Sequence, residues 1–67
     1  MYKVETFWDE IAQVWVATSE DIWGLATEAK SLEDLSKKLK IIIPELLLLN
    51  KQIAENYQGE ISFEINR

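Results

Sequence analysis

The chain has 67 residues, 48% of them hydrophobic, with 12 acidic against 7 basic side chains, a net charge of -5, and neither cysteine nor histidine. That length holds a single domain with a core of marginal stability; the composition excludes disulfide staples, the commonest zinc ligand and a disordered chain. The acidic balance disfavours a phosphate backbone and suits a basic protein partner, and self-association is the stabilising device that remains.

Tyr2 to Trp8 alternate β-branched and aromatic residues, with Tyr2, Val4, Thr6 and Trp8 on one face and Lys3, Glu5 and Phe7 on the other, which predicts a first strand. Asp9 to Ala12 read as a polar-led connection, and Gln13 to Thr18 as the second strand of a hairpin that carries Trp15. Ser19, Glu20 and Asp21 form a turn, Gly24 permits a backbone conformation or a close approach that a side chain would block, and a third strand is expected over Trp23 to Ala29. Ser31 is a strong N-cap, with Glu33 and Asp34 at the positive end of the helix that follows. Leu32, Leu35, Leu39, Ile42, Leu46, Leu49 and Ile53 keep the three-and-four spacing of a core stripe. Pro44 predicts a kinked or split helix, Asn56 to Gly59 close it, and Ile61, Phe63 and Ile65 alternate with polar residues as a last strand.

The first ten residues lack the cationic start and apolar stretch of a secretory signal, and the run Ile41 to Leu49 is too short for a membrane span and contains Pro44 and Glu45. The expected location is the cytoplasm, with no membrane contact.

Function is sought in surplus apolar surface. At about 100° per residue, Ile41 and Leu48 fall opposite the core stripe, near Lys37 and Pro44, with Ile43 and Leu47 at its shoulders. Burying a side chain of that size is worth roughly 1.5–3 kcal/mol, so an interface is expected through Ile41, Leu47 and Leu48. Trp8, Trp15 and Trp23 lie on or beside three successive predicted strands, and are assigned to a sheet surface covered by themselves or by another subunit. Against these stand two weaker readings. Asp9, Asp21 and Glu28 supply carboxylates for a metal-dependent hydrolase, but no spacing fixes them together and acidic turns ordinarily connect strands. Lys37, Lys40 and Lys51 make a small basic face for nucleic acid, yet lysines usually mark the solvated side of a helix. Serines without a base beside them and the lack of histidine leave no nucleophilic triad. No catalytic, metal or cofactor site is expected.

The segment Phe7 to Asn50, above all Asp21-Ile22-Trp23-Gly24-Leu25 and Pro44-Glu45-Leu46-Leu47, resembles the short bacterial members of the HicB-like antitoxin family. The resemblance implies an α+β fold of order βββαβ, an antiparallel three-stranded meander with one helix packed on a face and a final strand beside the first, as in a reduced ribonuclease-H sheet. It further implies a non-catalytic domain that caps a small basic ribonuclease toxin; residues 1–67 are read as that single domain, and the surplus apolar surface adds a homodimer or higher homo-oligomer. Full-length members carry a DNA-binding domain after this one; none is expected here.

Overall fold

A computed structural model describes all 67 residues. The elements run β1 (Tyr2–Asp9), β2 (Val14–Thr18), β3 (Ala26–Ala29), α1 (Leu32–Leu49) and β4 (Phe63–Asn66), a small α+β fold with a four-stranded mixed sheet and one helix. The strand order is β3-β2-β1-β4. The first three strands form an antiparallel meander, with Trp8 opposite Trp15 and Trp15 opposite Ala29. β4 adds to the free side of β1 in parallel, Val4 beside Ile65. A parallel partner cannot be reached by a tight turn, so α1 serves as the crossover from one edge of the sheet to the other.

Alternation places Tyr2, Val4, Thr6, Trp15, Ala17, Ala29 and Ile65 on the face beneath α1. The core there comprises Val4, Ala17, Ile22, Leu25, Ala29, Leu35, Leu39, Ile43 and Leu47. The one buried polar side chain, Thr6, donates its hydroxyl to the Asn66 carbonyl at 2.9 Å and ties β4 in place.

The helix starts where Ser31 predicts: its extended backbone ends the strand region, and its hydroxyl accepts from the Asp34 amide at 3.1 Å. Three expectations about the helix are corrected. It is neither split at Pro44 nor extended to Asn56, but runs unbroken from Leu32 to Leu49 and is capped by Asn50. Pro44 lies away from the core, so the Lys40 carbonyl that loses its helical donor is one that water can reach. The buried stripe is Leu35, Leu39, Ile43 and Leu47, rotated from the expected Ile42, Leu46 and Leu49, and Ile53 falls beyond the helix.

The helix stop is a Schellman turn. The Lys51 amide donates to the Leu48 carbonyl and that of Gln52 to Leu47, with Lys51 at φ 58°. A lysine in that left-handed conformation bears a cost that glycine escapes. Lys51→Gly is therefore expected to stabilise the chain by about 1 kcal/mol, a rise of roughly 4–8 °C in Tm, read by thermal melting.

The third strand is shorter than expected, because Trp23, Gly24 and Leu25 belong to a turn: the Leu25 amide donates to the Ile22 carbonyl, and Gly24 sits at φ 82°. Nothing lies within 4 Å of a Cβ placed on Gly24, so backbone conformation alone requires the glycine.

Candidate interaction surface

The loop between β2 and β3 is fastened from both sides. Where β1 outruns β2, side chains continue the ladder: the Lys3 amide donates to Asp21 Oδ2 at 2.7 Å, and Ser19 Oγ donates to the Lys3 carbonyl at 2.6 Å. From the helix end, Gln52 accepts from the Trp23 amide at 3.1 Å and donates to the Asp21 carbonyl at 2.8 Å, while Asn50 donates to the Trp23 carbonyl at 2.6 Å. Ile22 and Leu25 enter the core from this loop. The fold thus uses every residue from Asp21 to Leu25 except the Trp23 side chain, which stays 60% exposed on a backbone held at both peptide groups. Gln52→Ala is expected to cost about 1 kcal/mol and to free the loop, seen as lower fluorescence anisotropy at Trp23 with Trp8 and Trp15 replaced by phenylalanine.

Trp8 and Trp15 pair across β1 and β2, but on the helix side, so neither covers the bare face of the sheet. Trp8 and Trp15 stack edge to face, ring centroids 5.6 Å apart, on the same face as the helix, and Trp8 Nε1 donates to Glu10 Oε2 at 2.8 Å. Trp15 packs against the core, Trp8 leans on it from the exposed side, and Trp23 stands apart in its loop.

The face away from α1 is uncovered. Phe7, 52% exposed, pairs with the half-buried Val16, and Val14 continues the apolar strip. Around it, by register, lie Glu5, Asp9, Glu28 and Glu64, with Lys3 and, beside Val14, Lys30 as the bases. Composition alone did not single out Phe7; its place opposite Val4 and Thr6 on β1 is the signal that carries it.

On the helix, Ile41 and Leu48 do point outward, at 66% and 43% exposure. Leu47 does not: it is fully buried in the core and offers no surface to a partner, which corrects its assignment to an interface. The lysine face also dissolves, since Lys51 belongs to the turn after the helix and Lys37 pairs with Glu33 at 3.6 Å.

The carboxylates proposed for metal chemistry are not brought together. Asp9 Oδ1 accepts from the Ile11 and Ala12 amides at the hairpin turn, whereas Asp21 sits beside Lys3 near the other end of β1. Roughly six residues of strand, about 20 Å, separate those two positions. No group of three acidic side chains in the structure is close enough to share an ion. No helix is long and apolar enough to cross a membrane.

A model of the family described as "Domain of unknown function (DUF1902)" matches residues 1–67. The crystal structure of a hypothetical protein from Thermus thermophilus, an extremely thermophilic bacterium, is similar: 40% identical, with a TM-score of 0.79, covering 97% of this chain and 87% of that one. No curated protein matches the chain.

Proposed function

From its membership of the DUF1902 family, to which the chain belongs over residues 1–67, and from the surfaces its fold leaves uncovered, we propose a non-catalytic interaction domain. It self-associates, and it binds a small basic protein on the open face of the sheet. The observation that carries this reading is the Phe7, Val14 and Val16 strip, ringed by four carboxylates and two lysines. An apolar centre with a charged rim is the anatomy of a protein interface. Its sign selects a cationic partner and speeds encounter with it.

The finer reading is a HicB-like antitoxin, whose basic partner is a small ribonuclease toxin that the domain neutralises by occupying it. Within the Asp21 to Leu25 and Pro44 to Leu47 pieces, Ile22, Leu25 and Leu47 are core residues and Gly24 makes a turn, which supports the likeness at the level of the fold only. The partner is argued from the acidic face. The absence of chemistry is argued from the same geometry: Asp9 and Asp21 are both engaged in holding turns.

The test is recovery of the tagged chain from its native cell at low salt. The expected result is one small basic protein in equal amount, released as salt rises because the contact is charge-rimmed. Recovery of the chain with no basic companion would count against the reading.

A further inference from the structure

α1 lies over β2 and β3; β1 beside them is buried at Val4 and Thr6, and only the β4 side of the same face is left partly uncovered. Beside Ser36 and Lys40 runs a cleft of about 710 Å³, floored by Ile61, Phe63 and Ile65 and bounded by Met1. A four-stranded sheet has room for two helices of about 10–12 Å diameter, and this chain supplies one. The outer stripe of that helix, Ile41 and Leu48, has no partner within the chain either.

We propose that two copies of the chain close on each other about a twofold axis, so that the helix of each packs on the β4 side of the other's sheet. Ile41 and Leu48 of one copy then seat on Ile61, Phe63 and Ile65 of the other. A single symmetry operator satisfies both unmatched surfaces at once, as an isologous contact requires. This arrangement rests on the reading of the chain as a self-associating domain and specifies which face does it.

Charge selects the face. A chain of net charge -5 repels its own copy, and pairing the bare sheet faces would set two rings of four carboxylates against each other. Meeting through the helices turns both rings outward. At the cleft α1 presents Ser36 and Lys40, and on its exposed surface Glu33 pairs with Lys37 at 3.6 Å, a mixed set that sets no single sign of charge between antiparallel helices. The chain exposes 4901 Å² at 7.8 kDa, where a compact monomer of that mass exposes about 4400 Å². The excess of about 500 Å² marks a chain that leaves more surface uncovered than a compact monomer of its mass.

Because the chain has no cysteine, single thiols report the contact directly. Leu48→Cys and Phe63→Cys chains are mixed and treated with a short bismaleimide, with Phe7→Cys alone as the control; Ile61→Cys replaces Phe63→Cys should the latter melt early. The expected result is a cross-linked 48–63 pair at twice the chain mass and no 7–7 pair. Ile41→Glu with Leu48→Glu is expected to halve the sedimented mass while the helical circular dichroism is retained. A dimer that gives the 7–7 pair, or neither pair, overturns this arrangement and leaves self-association standing. A chain that sediments at 7.8 kDa at every concentration overturns both.

Discussion

Leu47→Ala is expected to cost about 2–5 kcal/mol and to leave much of the chain unfolded at room temperature, while Leu48→Ala, one residue on, shifts the unfolding midpoint only slightly at a concentration where the chain is monomeric. Leu47 is fully buried beside Ile43 and Leu39, and its truncation leaves a cavity between helix and sheet. A domain of 67 residues holds a total stability of roughly 3–10 kcal/mol, so the loss is of the same order as the whole. Only ten residues are buried, and no second layer on the other face compensates. Denaturant titration followed by circular dichroism measures both variants. Equal, small effects would place Leu47 on the surface.

Phe7→Lys is expected to do the converse: to leave the fold intact and weaken the complex with the basic protein recovered from the cell by about 30-fold or more. Phe7 is the largest apolar side chain at the centre of the uncovered face, the position at which interface truncations cost about 2 kcal/mol or above. Lysine there also places a cation against a cationic partner, which adds to the loss. Its effect on folding is small, because the side chain is half exposed and its neighbours are Val16 and carboxylates. Isothermal titration of both chains with that protein, beside their melting curves, separates the two quantities. Unchanged affinity would remove the sheet face from the account.

The order of elements was legible because its signals are local. Alternation in Tyr2 to Trp8, the cap at Ser31 and the return of alternation at Phe63 each need only a few residues to be read. The rotation of the helix was not. Ile41, Ile42, Ile43, Leu46, Leu47, Leu48 and Leu49 form a nearly continuous apolar run, which supports several stripes of similar strength, and only the packed sheet selects the one through Ile43 and Leu47. The helix end was equally hidden. Its Schellman turn uses lysine where glycine is the usual marker, and Asn50 and Gln52 are drawn into holding the Trp23 loop 27 to 31 positions away in sequence.

The candidate surface was half legible for a related reason. Alternation separates Lys3, Glu5 and Phe7 from Val4 and Thr6, but which of the two faces receives the helix depends on all four strands together. Size drew attention to the tryptophans, of which only Trp15 packs on the core, Trp8 stacks against it, and Trp23 is the most exposed. Ile41 and Leu48 were legible because they lie opposite any reasonable choice of stripe.

The claim beneath the whole reading is that this fold covers too little of its own apolar surface to stand alone in water. Sedimentation equilibrium of the unmodified chain over a wide concentration range measures that directly. The expected result is a mass of twice 7.8 kDa that falls toward the single chain on dilution; one copy throughout, with Ile41→Glu and Leu48→Glu without effect, would contradict it.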